Sequence, residues 1–256
     1  MPYDHYLRSY FIRGIDQNNQ PDIWMQITVP NEFHPVGKSF NVGISAGIET
    51  TIFPGEFLEG MNKMDLNLVS SEHSKKVALT TQFEKRDQQT NQIAGTIKCN
   101  KPVEVLFEGL DLEKYNKKPQ NSGLLKDIKV DYSLLDREDI LHKINALREK
   151  TEGNLPNIYL LHGEMTDDEM NQLNNDSKVK SFVSFTKGEG FGRPLLEAAI
   201  TGKPVICSGW SGQTDFIHSD YNVLLGGKLE NVHKSAANKF LLKESQWFSV
   251  DTAIAS

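Results

Sequence analysis

Residues 180–208 read "KSFVSFTKGEGFGRPLLEAAITGKPVICS". The runs "KSFVSF" (180–185) and "KPVICS" (203–208) have the length and apolar content of buried strands. The segment between them turns at Gly188, Gly190 and Gly192 and enters a helix at Pro194, a residue suited to the first helical turn. Strand, loop, helix and strand in this order make one unit of a parallel α/β sheet. In such sheets ligands bind beyond the carboxyl ends of the strands, where loops become helices. The glycines let backbone approach a ligand, and the N–H groups at the helix start favour an anion such as a phosphate.

The same alternation extends toward the N-terminus. "PDIWMQITVP" (21–30) reads as a buried strand and "SFNVGISAG" (39–47) as a second, closed by glycine. "PGEFLEGMNKM" (54–64) spaces Phe57, Leu58, Met61 and Met64 as a helix does, and "DLNLVSS" (65–71) returns to strand. "SEHSKKVAL" (71–79) begins with a serine cap, and "PVEVLFEG" (102–109) is another strand. The polar, glutamine-rich stretch 80–101 has no period and is expected to be a surface excursion. "NKKPQNSG" (116–123) is the best linker candidate. Beyond it, "DREDILHKINALREK" (136–150) reads as an aspartate-capped amphipathic helix carrying Ile140, Leu141, Ile144 and Leu147. "NIYLLHG" (157–163) is expected to be a strand, and Thr166 and Glu169 stand at capping-box spacing before the next helix. The fold class expected is therefore α/β, as two consecutive parallel-sheet domains over 1–118 and 119–256.

Composition narrows the partners. A net charge of -6 supplies no basic surface for a nucleic-acid backbone, so nucleic acid is excluded as an expected partner. Two cysteines, Cys99 and Cys207, make no disulfide framework and suit a reducing compartment. No apolar run approaches the roughly 18 residues of a membrane span, and "MPYDHYLRSYFIRGIDQ" lacks the apolar stretch of a signal peptide. A cytoplasmic location is the expectation.

Glu189 and Glu197 lie eight apart across the glycine-rich turn. Carboxylates repel phosphate, so beside a phosphate site they need another target. A sugar diol is suitable, because one carboxylate can accept two hydroxyl hydrogen bonds. Phosphate-binding backbone with two diol-binding acids points to a nucleotide-sugar. The plainer alternative is that the two acids only favour a helix start electrostatically.

The wider segment "EGFGRPLLEAAITGKPVICSGWSGQTDF" (189–216) resembles the Glu-x7-Glu region of retaining GT-B glycosyltransferases of the family 4, or group 1, type. Residues 41–77 and "VEVLFEGLD" (103–111) are similar to the acceptor-side domain of such enzymes. The resemblance implies a GT-B-like pair of Rossmann-like domains and transfer of a hexose, with retention, from a UDP- or GDP-sugar to a glycan, lipid or small-molecule acceptor. It places Glu197 on the ribose hydroxyls and Glu189, as the catalytic-site acid, beside the transferred sugar. Gly190, Phe191 and Gly192 would present backbone amides to sugar and diphosphate. Such enzymes use neither metal nor cofactor, and no strict Asp-x-Asp occurs in the chain.

Against the family pattern, the chain is expected to be truncated at both ends and shortened at the start of the donor-side domain, leaving both domains incomplete. The loop whose arginine and lysine grip the diphosphate has no counterpart, and Lys187 and Arg193 are the proposed substitutes. Glu49 falls where related enzymes place an acceptor-side polar residue, with helix capping as the alternative. His34, His73, His162 and His218 lack metal-ligand spacing and read as structural or solvent-facing. Asp215 reads as a helix cap, and Trp210 is placed on a loop where it could flank a base or sugar. Two functions stay open: a glycosyltransferase, or a GT-B remnant that binds nucleotide-sugar or acts as a scaffold without turnover.

Overall fold

The computed structural model describes residues 21–86, 90, 92–119, 134–153 and 155–255. Its first sheet has the order β1-β2-β3-β6, from Ile23–Ile27 (β1), Phe40–Ser45 (β2), Leu66–Val69 (β3) and Val103–Val105 (β6), all pairs parallel. Parallel neighbours need crossovers, and helices supply them. Gly55–Met61 (α1) joins β2 to β3, and Glu72–Thr80 (α2) follows β3. Pro54 precedes α1 and its carbonyl accepts the Phe57 N–H at 3.0 Å, while Ser71 Oγ accepts the Ser74 N–H at 3.2 Å to cap α2. One continuous core packs Phe33, Phe53, Phe57, Leu58, Met61 and Met64 with Val69, Val77 and Val103.

The segment 180–208 folds as its pattern dictates. Phe182–Ser184 (β7), Val205–Ser208 (β8) and Val223–Leu225 (β9) form a second parallel sheet, with Arg193–Ala199 (α5) between β7 and β8. Gly227–Asn231 (β10) and Gln246–Val250 (β11) pair as an antiparallel ribbon, followed by Thr252–Ala255 (α6). The expected α/β class with parallel sheets is the class observed.

Four local expectations are corrected. Residues 21–30 do not form a buried strand: β1 within them has β2 as its one neighbour among the described residues, and Ile23, Met25 and Ile27 are exposed. The stretch 80–101 contains an antiparallel hairpin, Gln82–Arg86 (β4) and Ile93–Lys98 (β5), because Phe83 and Ile97 pair across it and pack against the core. Residues 157–163 carry no strand; Ile158, Tyr159 and Leu161 are exposed, so most of the apolar run gains no burial from extension. The helix expected from Asp136 begins two residues earlier, as Leu134–Lys150 (α3), which removes Asp136 from the cap position, and Leu147 is exposed. Half of the linker candidate, 120–123, lies outside the described residues.

Compactness divides the chain into two units that differ from a linear split at residue 118. One comprises Met1–Gly109, Val183–Leu196 and Val205–Ser256; the other comprises Leu110–Phe182 and Glu197–Pro204. In the second unit the helix Asp167–Asn175 (α4) starts with the capping box read from Thr166 and Glu169. Its Asn171 and Asn175 side chains accept the backbone N–H groups of Asn116 and Lys118, holding the first residues of the linker candidate.

Candidate functional site

The loop 185–192 leaves the carboxyl end of β7, the position that ligand-binding loops occupy in parallel sheets. Glu189 is half-buried there. Its N–H donates to Ser211 Oγ at 2.8 Å, and its carbonyl accepts the Gly212 N–H at 3.0 Å. The loop after β8 therefore holds both backbone polar groups of this one acid.

Gly190 is required by close approach: a Cβ on it would overlap the carbonyl oxygen of Ala46, in the loop after β2. The glycine expected to admit a ligand here admits another backbone. Gly192 has φ 97°, a left-handed value, and its carbonyl accepts the Leu195 N–H at 3.0 Å to start the helical turn. Phe191 is buried, its ring 4.9 Å from that of Phe216 and 6.4 Å from that of Phe107. Its side chain is thus core, and any ligand role falls to its backbone.

Glu197 sits in α5 with only 8% exposure, in the second compact unit, whereas Glu189 belongs to the first. Arg193 is exposed as the first residue of α5. The Lys187 Nζ donates to Ser249 Oγ at 2.8 Å and lies 5.2 Å from the Trp247 ring centre. Ser249 Oγ in turn donates to Glu230 at 2.6 Å, and this bond, ahead of Lys228, holds the Glu230 carboxyl below its usual range. Glu49 is half-buried in the loop after β2, where its backbone carbonyl packs against Gly188.

Beside this loop the first unit opens a cleft of about 310 Å³, lined by Glu72, His73, Lys76, Trp210, Thr214 and Asp215 among others. Asp215 closes the 3-10 turn Gly212–Asp215 and accepts the Glu72 N–H at 2.8 Å, which caps α2 from a distant part of the chain. His73 meets Trp210 edge-on, ring centres 4.7 Å apart. Burial lowers the His73 pKa, a hydrogen bond to the Thr50 backbone opposes that, and Lys76 adds to the lowering. Trp210 stacks in turn on Phe248 at 6.1 Å.

Sequence reading brought the motif acids to notice but missed Ser211 and Gln213, whose side chains bond to each other under the loop. A serine between a tryptophan and a glycine carries no local signal of that role. Among the described residues no group of three or more His, Cys, Asp and Glu side chains could hold a metal ion. No described helix is long and apolar enough to cross a membrane.

No family model matches the chain, and no curated protein matches it. Among solved structures, the crystal structure of Anabaena HepE in complex with UDP-glucose is similar to this chain, with 16% identity and a TM-score of 0.47 over 74% of this chain. The chain spans 58% of the length of that structure.

Proposed function

We propose that this chain takes a hexose from a nucleotide-sugar, a UDP- or GDP-sugar, and transfers it with retention to an acceptor of undefined class. The observation that supports this reading is the position of Glu189 on its loop. Glu189 lies on the loop at the carboxyl end of β7 with its backbone fixed on both sides. A fixed backbone aims the carboxylate, and a carboxylate so aimed suits the hydroxyls of a sugar. Glu197 would hold the ribose diol, and the amides of Gly190, Phe191 and Gly192 would face sugar and diphosphate. Arg193, exposed at the head of α5, would offset diphosphate charge. The incoming hydroxyl would attack from the face the diphosphate leaves, with the diphosphate taking its proton and no metal taking part.

Glu197→Ala tests the assignment. A hydrogen bond to a charged group contributes roughly 1.5–3 kcal/mol, so loss of a diol contact should weaken nucleotide-sugar binding at least about tenfold. Calorimetric titration with UDP, GDP, ADP and their sugars identifies the ligand and measures the loss. An unchanged dissociation constant in the variant would remove Glu197 from the site.

A second reading is favoured by Lys187, whose ammonium is engaged by Ser249 and Trp247. If the cations needed by a leaving diphosphate are committed elsewhere, the chain binds nucleotide-sugar without turning it over. Donor hydrolysis, with and without excess EDTA, separates the two. Turnover that survives chelation supports transfer, and tight binding without turnover supports a binding protein.

A further inference from the structure

Ser211 has φ 71° and ψ −156°, and it is the one non-glycine residue with positive φ among those described. That region is essentially reserved for glycine, because a Cβ crowds the backbone there. A serine in it needs a reason in its side chain.

The reason is a chain of hydrogen bonds in which each donor meets an acceptor. The Glu189 N–H donates to Ser211 Oγ at 2.8 Å, and the Ser211 hydroxyl donates to Gln213 Oε1 at 3.0 Å. Gln213 is fully buried; its Nε2 donates to the Ser208 carbonyl at 3.1 Å and to Ser208 Oγ at 2.9 Å. Ser208 Oγ then donates to the Thr186 carbonyl at 3.0 Å. The chain thus starts at Glu189 and ends at Thr186, tying two points of the short loop that carries the acid to the end of β8 and the turn that follows it. Gly212 adds the bond to the Glu189 carbonyl at 3.0 Å. A glycine at 211 would relax the backbone and cut this chain at its middle.

We propose that Ser211 is a positioning residue for Glu189: its strained backbone is retained because its hydroxyl fixes the acid that faces the transferred sugar. This rests on the donor-site reading of Glu189. A purely structural serine would behave differently, since its removal would lower stability and activity together.

The test uses Ser211→Gly and Ser211→Thr in the full chain, with thermal unfolding, amide hydrogen exchange at Glu189, affinity for UDP and GDP, and hydrolysis of UDP-glucose and GDP-glucose. Ser211→Gly should keep or raise the melting temperature, speed Glu189 exchange about tenfold or more and lower kcat about tenfold, with nucleotide affinity within about twofold. Ser211→Thr keeps the hydroxyl on a β-branched, more strained residue, so it should melt lower yet retain more kcat than the glycine variant. That crossing of stability and turnover is the supporting result. Unchanged Glu189 exchange in Ser211→Gly overturns the proposal, and so does faster exchange with undiminished kcat. A wild type that binds neither nucleotide refutes the donor-site reading instead, while exchange and melting still decide whether Ser211 holds Glu189.

Discussion

The carboxylate of Asp215 accepts a 2.8 Å hydrogen bond from the backbone N–H of Glu72, a residue 143 positions earlier. The acceptor ends a 3-10 turn and the donor opens α2, so one side chain joins the loop after β8 to the crossover helix after β3. An acid at a helix N-terminus is favoured by both the orphan N–H and the helix dipole.

Asp215→Ala should therefore destabilise the protein by about 1–2 kcal/mol, the usual cost of losing an N-terminal cap acceptor. Asp215→Asn keeps an acceptor oxygen without the charge and should lose less. Urea denaturation with an unchanged m-value is the measurement, and equal losses in both variants would mean that the charge supplies the whole effect.

Gly190→Ala forces a Cβ into the Ala46 carbonyl oxygen, a backbone atom that cannot rotate away. Overpacking of this kind costs about 1–3 kcal/mol. Gly192→Ala instead strains a residue with φ 97°, at about 1–2 kcal/mol. Both variants should unfold at lower denaturant, and the crystal structure of the first should show the loop after β7 moved off the loop after β2.

Burial holds the His73 pKa below its ordinary value of 6.5, and its Nε2 is buried without a hydrogen-bond partner among the described residues. Protonation would add an N–H with nowhere to donate. Because the folded pKa is the lower one, the unfolded chain takes up the proton first as pH falls. Stability from this group is complete above about pH 6.5, declines below it, and stops declining once the folded state is also protonated. His73→Phe keeps a ring against Trp210 and should show a shallower fall in melting temperature between pH 7.5 and pH 5. A slope identical to that of the wild type would assign the pH dependence to other groups.

Lys187→Met should change nucleotide affinity less than about twofold, because the ammonium it removes is bound to Ser249. Arg193→Met should weaken binding at low salt by about tenfold, and the difference should shrink as salt screens the phosphate charge. Titration at two ionic strengths checks both, and a larger effect from Lys187 would show that its side chain swings toward the ligand.

Local chemistry was readable in the residues themselves. Thr166 and Glu169 form the capping box that their spacing announces, Ser71 caps α2, and residues 182–208 run strand, loop, helix and strand. These features depend on neighbours within a few positions, where backbone geometry alone brings side chain and N–H together. The acids Glu189 and Glu197 were also legible as a pattern, although not what surrounds them.

Contacts between distant segments were decided by the fold. A polar stretch at 82–98 became a hairpin because Phe83 and Ile97 found the core, and the apolar run at 157–163 stayed exposed and unpaired as a strand. Gly190 reads as room for a ligand but is filled by the Ala46 carbonyl, and Lys187 reads as a phosphate cation but bonds to Ser249. Asp215 finds its helix 143 residues away, and Ser211 finds Glu189 across 22. Periodicity and spacing describe which face of an element is apolar, while partners for a hydrogen bond or a charge depend on which loops the packed sheets bring within 3 Å or so of one another.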